Sequence, residues 1–292
     1  MTTVFKGLML RRPVTGDLGI EIEVEGSRLP LCEHYWINEK DGSLKGLETR
    51  EYVLAKPSSL DMVKKALDYL DKLYIISKTK VDDSVRAGVH VHVNCQKLTM
   101  TQLFTFMALY FTLENVLTKW CGQSREGNLF CLRASDAEGV LTQIKNGIVT
   151  KRWRDTFGRD KLRYAAMNVK ALATYGSLEF RAMRGTRDLD LVYLWASVLL
   201  GLREKSMEFE NPTKIIEQFS VLGPTGFMKE VLGDNYKHFV CEEQEEMLWE
   251  GVRNAQDIAY CVQWNKYEPK VRTIGQIDFP VDNDPDEPDE DF

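Results

Sequence analysis

The chain has 292 residues, 43% of them hydrophobic, which is enough to bury a sizeable core in one large domain or two intimate ones. Its net charge of -6 is uneven: eight of the 44 acidic residues fall in the last fifteen positions, Asp278 to Phe292, and the rest of the chain sets 38 basic residues against 36 acidic. A nearly neutral body excludes broad nucleic-acid backbone binding, and the most apolar run, Leu103 to Leu113, is too short and too interrupted by Thr to span a bilayer.

Six cysteines, Cys32, Cys95, Cys121, Cys131, Cys241 and Cys261, form no CxxC pair and no regular spacing, which argues against a zinc ribbon or a disulfide framework. With no basic-then-apolar leader at the N-terminus, the expected compartment is the reducing cytoplasm.

In chain order, a short apolar segment, Val4 to Leu10, precedes a turn at Thr15-Gly16-Asp17. Leu18 to Glu25 then alternates strictly, with Leu18, Ile20, Ile22 and Val24 on one face of a strand and Glu21, Glu23 and Glu25 on the other. Three carboxylates on one strand face repel each other unless water or cations separate them, so the strand is either solvated or part of a metal site. A further strand is expected within Cys32 to Asn38, and another at Glu51-Tyr52-Val53-Leu54, stopped by Pro57. Ser58 or Ser59 caps a helix with Val63, Ala66, Leu67, Leu70 and Tyr74 at helical spacing.

Val89-His90-Val91-His92-Val93 is a second alternating strand, with valines on one side and histidines on the other. Thr99 or Thr101 starts a long helix to about Lys119, apolar on most faces and therefore the buried central helix. Ser135-Asp136-Ala137-Glu138 has the capping-box pattern and predicts another helix start. Ser177 to Ala182 is the third alternating strand, with Leu178 and Phe180 opposed to Glu179 and Arg181. Helices are expected over 189–208, 212–233 and 240–262, and an acidic, proline-containing disordered tail over 277–292.

If the three alternating strands share a sheet, their polar faces line one surface. Carboxylates with one or two imidazoles suit Mg2+ or Mn2+, with water and substrate phosphate as remaining ligands, and zinc is disfavoured without cysteine ligands. There is no GxxxxGK[ST] and no convincing GxGxxG, so any ATP must be held by metals and arginines. Arg163, Arg181, Arg184 and Arg187 cluster in sequence, with Arg125 in another loop, and Arg187 is read as a surface ion pair with Asp188.

Several motifs in fixed order resemble the amidoligase family, relatives of carboxylate-amine ligases such as glutamine synthetase and glutamate-cysteine ligase. They are Gly19-Ile20-Glu21-Ile22-Glu23; Trp36 with Asp41-Gly42-Ser43-Leu44; Glu51-Tyr52-Val53 before Pro57; and Gly88-Val89-His90-Val91-His92-Val93. The likeness continues through Ser124-Arg125, Asn128 and Cys131, then Arg163-Tyr164 with Asn168, then Leu178-Glu179-Phe180-Arg181, Gly185-Thr186 and Asp188, and spans roughly residues 16–205. Ala55-Lys56-Pro57 stands where the family tends to have Ser-Pro-Pro, and nothing after about 210 matches.

The resemblance implies an α+β, glutamine-synthetase-like fold, a curved antiparallel sheet with ATP and divalent metals on one face and helices packed on its convex face. One catalytic domain, 1–276, is expected, with its motifs in 16–205 and helices in 206–265. Carried over by position, Glu21, Glu23, Glu51, Glu179 and one of His90 and His92 match metal-binding residues. Arg181 matches the arginine at the transferring phosphate, Asp41 matches the acid of the Asp-Gly-Ser turn, and Arg125, Arg163 and Asn168 join Arg181 as nucleotide contacts. Glu48 competes with Glu51 for its place.

The implied reaction is ATP-dependent amide formation: a substrate carboxylate is phosphorylated, and an amine attacks the acyl phosphate to give the amide, ADP and phosphate. The substrates are a carboxylate and an amine, either small or carried on a peptide or protein. Two other readings use the same residues, a metal-dependent hydrolase and a non-catalytic nucleotide-binding relative. The acidic tail is either solubilising or a docking segment for a partner protein.

Overall fold

The computed structural model describes residues 2–40, 42–137, 139–158 and 164–264. The alternating segments become strands whose apolar sides all face the same way. In chain order the strands are Leu18–Ser27 (β1), Trp36–Glu39 (β2), Glu48–Leu54 (β3), Lys80–Val81 (β4), Gly88–Asn94 (β5), Met167–Asn168 (β6) and Ser177–Arg184 (β7). They form one seven-stranded sheet in the order β2-β3-β1-β5-β7-β6, with β4 paired to the end of β1, and every pairing is antiparallel. The acidic strand β1 is thus flanked by β3 and the histidine strand β5.

The helices are Val4–Gly7 (α1), Leu60–Ser77 (α2), Met100–Trp120 (α3), Val140–Thr150 (α4), Trp153–Phe157 (α5), Lys170–Tyr175 (α6), Leu189–Ser206 (α7), Pro212–Leu232 (α8) and Gln244–Ala259 (α9). The mixed architecture, an antiparallel sheet with helices, is consistent with the α+β class expected from sequence.

Apolar residues of the strands pack on the helices. Trp36 donates its Nε1–H to the Ala66 carbonyl of α2 at 3.0 Å, and Tyr52 meets Tyr74 edge-on with centroids 5.9 Å apart. Phe180 of β7 packs between Phe106 and Tyr110 of α3, with centroids 5.7 and 4.8 Å away. As its composition predicts, α3 is buried on nearly all sides, and Thr99 with Gln102 closes a reciprocal capping box at its start. Its far side meets α9, where a Cβ at Gly251 would lie 2.3 Å from the Thr112 carbonyl oxygen. Only glycine permits that approach.

Some boundaries shift. β2 begins at Trp36 rather than Cys32, and β3 starts at Glu48, three residues before the predicted segment. The helix predicted from Ser135 begins instead at Val140: Asp136 is engaged by the Arg133 guanidinium at 2.9 Å, and Gly139 occupies the N-cap. Glu138, the fourth residue of that motif, lies outside the described residues, as does the tail 277–292. α8 is kinked where Gly223 (φ 68°) precedes Pro224. Among the described residues no helix is long and apolar enough to cross a membrane, and all six cysteines are free thiols.

Candidate functional site

Strands in antiparallel register align their same-face side chains in rows. On the polar face, Glu21 stands opposite both Val53 and His90. The next row runs Gly19, His92, Glu179, Asn168 across four strands. A third pairs Glu23 with Glu51. A shift of register between Val89 and Val91 sets Arg181 and Ala182 together opposite His90, a bulge that aims Arg181 back toward Glu179.

Glu21, His92 and Glu179 each offer one ligand atom within 4.8 Å of the other two. His92 Nε2 is 3.4 Å from Glu21 Oε1, while its Nδ1 is 3.1 Å from Ser177 Oγ. Glu179 is held from two sides: Asn168 Nδ2 donates to Oε2 at 2.6 Å, and Arg181 Nη1 donates to Oε1. Two carboxylates and an imidazole whose Nε2 faces one of them fit a divalent cation that keeps water or phosphate as its other ligands.

His90 is packed behind this group, 3% exposed. Its Nδ1 is 3.2 Å from Glu21 Oε2 and 3.4 Å from Arg181 Nη1, and its Nε2 is 3.8 Å from Glu23 Oε2. Of the two histidines, His92 joins the ligand group, whereas His90 positions Glu21.

The charges are coupled. Burial opposes ionisation of Glu21, but hydrogen bonds from His90 and His92 outweigh it and hold the carboxyl far below the usual carboxylate range. Glu179 is likewise lowered, with the Arg181 charge overcoming burial. Burial and then Arg181 depress His90. For His92 burial also acts downward, but Glu21 and Glu179 raise it above the ordinary value. His92 is therefore poised to exchange its proton for a cation.

Of the other expected residues, Glu51 lies on the site face opposite Glu23, outside the 4.8 Å group. Glu48 is not a competitor, since its carboxylate accepts the N–H groups of Arg28 and Leu29, both at 2.7 Å. Glu23 is buried and its Oε2 accepts the Gly88 N–H at 3.0 Å, tying β1 to β5.

Arg125 was expected to contact nucleotide, but it is 1% exposed and donates to the backbone carbonyls of Ala182, Ala87 and Arg181 at 3.2, 3.4 and 2.8 Å. It braces the bulge from inside. Asn168, also expected at the nucleotide, is committed to Glu179 and to the Lys170 N–H. Arg187 pairs with Asp71 rather than Asp188, which caps α7, and Arg184 donates to the Cys121 carbonyl at 2.8 Å. Arg163 and Asp41 lie outside the described residues.

A cleft of about 350 Å³ opens beside the cluster, with Glu21 and His92 in its wall and Val53, Leu54, Pro57 and Tyr175 giving it an apolar lining. Gly19, in the same row as His92, contributes no side chain to fill it. Ser177, which orients His92, was missed, although its place two residues before Glu179 on an alternating strand put it on the same face. Tyr175, in edge contact with His92 at 5.9 Å, belongs to a helix with no such period and gave no signal.

No protein-family model matches this chain, and no curated protein sequence does either.

Proposed function

We propose that this chain is an ATP-dependent carboxylate-amine ligase of glutamine-synthetase-like fold that uses Mg2+ or Mn2+ held by Glu21, His92 and Glu179. The observation that best supports the reading is the convergence of those three side chains with Arg181 from three neighbouring strands, beside a cleft whose wall includes Glu21 and His92. A bound divalent cation would supply charge screening for phosphate oxygens. The chain's own groups do the rest. Arg181 spends Nη1 on Glu179 and its Nε–H on the Phe130 carbonyl at 3.4 Å, which fixes the plane of the guanidinium and leaves Nη2 as a donor for an anionic oxygen. Half-buried, paired and pre-positioned, it needs no rearrangement when charge develops on a transferring phosphoryl group. The apolar lining of the cleft keeps water from competing with an amine.

The test is ADP release with Mg2+ and panels of amino acids and peptides, with hydroxylamine added to trap an acyl phosphate as a hydroxamate. A ligase releases ADP only with a carboxylate and an amine or hydroxylamine present. Hydrolysis of the same substrates without ATP consumption would assign the cluster to a hydrolase instead.

A further inference from the structure

Beside the cleft lies a second groove of about 570 Å³, and Val14 and Tyr175 line both. Three arginines, Arg11, Arg12 and Arg154, line the second groove, and among the described residues no acidic one does. All three are exposed, and among the described residues none has an ion-pair or side-chain hydrogen-bond partner. They contrast with arginines elsewhere in the chain that are paired. Arg133, Arg152, Arg181, Arg187 and Arg203 each face a carboxylate.

The groove wall is built rather than loose. Gln96, 5% exposed, accepts the Val14 N–H at 2.9 Å on Oε1 and donates through Nε2 to the carbonyls of Arg12 and Tyr175 at 3.2 and 2.8 Å. Asn94 adds bonds from Nδ2 to the carbonyls of Val14 and Gly16 at 3.1 and 2.8 Å. Next to Tyr175, Gly176 takes φ +73°, and a Cβ there would meet Leu10 at 2.5 Å and Gln96 at 2.6 Å. The buried Gln96 amide thus ties the backbone that carries Arg12 to the backbone of Tyr175, with Asn94 holding the following residues, and a ligand meets a pre-formed wall.

We propose that this groove anchors an acidic substrate, an amino acid or peptide bearing carboxylates beyond the one to be activated at the cluster. The assignment of a role rests on the ligase reading, since a carboxylate held by the arginines would leave the rest of the molecule extending past Tyr175 toward His92. The guanidinium fork matches carboxylate and phosphate oxygens alike. The structure favours carboxylate because the cation site and Arg181 already provide for phosphate at the cluster.

The experiment is calorimetric titration of the full chain with triglutamate and, separately, tripolyphosphate, at low salt, with chelator and without nucleotide. Triglutamate is expected to bind and to weaken about tenfold or more in Arg11→Gln/Arg12→Gln/Arg154→Gln, the loss of at least one charge-assisted contact. Lys237→Gln/Arg253→Gln, at exposed positions elsewhere, should bind as wild type does. Circular dichroism and melting should be unchanged in the triple variant, whose replaced side chains are exposed. No binding of triglutamate by the wild type, equal binding by the triple variant, or groove-dependent binding of tripolyphosphate alone would overturn the proposal. Because neither metal nor ATP is present, failure here is distinct from failure of the ligase reading, which the ADP assay reads.

Discussion

His92 Nδ1 lies 3.1 Å from Ser177 Oγ, a contact between neighbouring strands that decides which edge of the imidazole faces Glu21. With Nδ1–H donated to the hydroxyl, Nε2, 3.4 Å from Glu21 Oε1, is the nitrogen that would give up its proton to a cation. Ser177→Ala removes the orienting acceptor. Mn2+ affinity, followed by electron paramagnetic resonance, should fall about tenfold or more, with Ser177→Thr retaining more of it than the alanine. Unchanged Mn2+ affinity in Ser177→Ala would show that this contact does not set the ligand geometry.

Arg125 supports the site from within the fold. Its guanidinium serves three carbonyls around the β5–β7 bulge, and a lysine cannot reproduce the fork. Arg125→Lys should lose about 2–4 kcal/mol of unfolding free energy in urea, because buried carbonyls are left without donors. A loss under about 1 kcal/mol would mean that the bulge holds itself.

Glu114 is a buried acid on α3 with one oxygen accepting the Ala134 N–H at 2.8 Å and the other, Oε1, without a partner among the described residues. Burial pushes its carboxyl up to about 8 from an ordinary 4.5, against the partly opposing Ala134 bond. The folded state therefore keeps a proton that the unfolded chain gives up. Stability falls as pH rises from about 4.5 to about 8, since the unfolded state binds fewer protons across that window. Glu114→Gln mimics the protonated form, so it should be more stable than wild type by about 3 kcal/mol at pH 7, with the gain vanishing near pH 4.5. A gain independent of pH would refute the titration.

Much of the site was legible because a strand's period is two. Glu21, His92 and Glu179 each sit on the polar side of an alternating segment, and apolar neighbours such as Ile20, Val91 and Phe180, all 1% exposed or less, had to face the helices. Which strands are neighbours, and in what register, depends on distant pairing and was not legible. Hence the different surroundings of His90 and His92, which turn on a one-row offset across β1 and β5, appear only in three dimensions. Arg125 misled for a related reason: an arginine in a glycine-flanked loop looks exposed, and nothing local announces that the bulge supplies three carbonyls to bury it. The start of α4 lies five residues beyond the expected Ser135, at Val140 with Gly139 in the N-cap.

The most direct test of the central claim is calorimetric titration of ATP into the full chain, with Mg2+ and then with chelator, for wild type and Glu179→Gln. Without a glycine-rich phosphate cradle, ATP should bind the wild type only when Mg2+ is present, and Glu179→Gln should reduce that affinity by about tenfold or more. Equal ATP affinity with and without chelator, unaffected by the Glu179 substitution, would contradict the account.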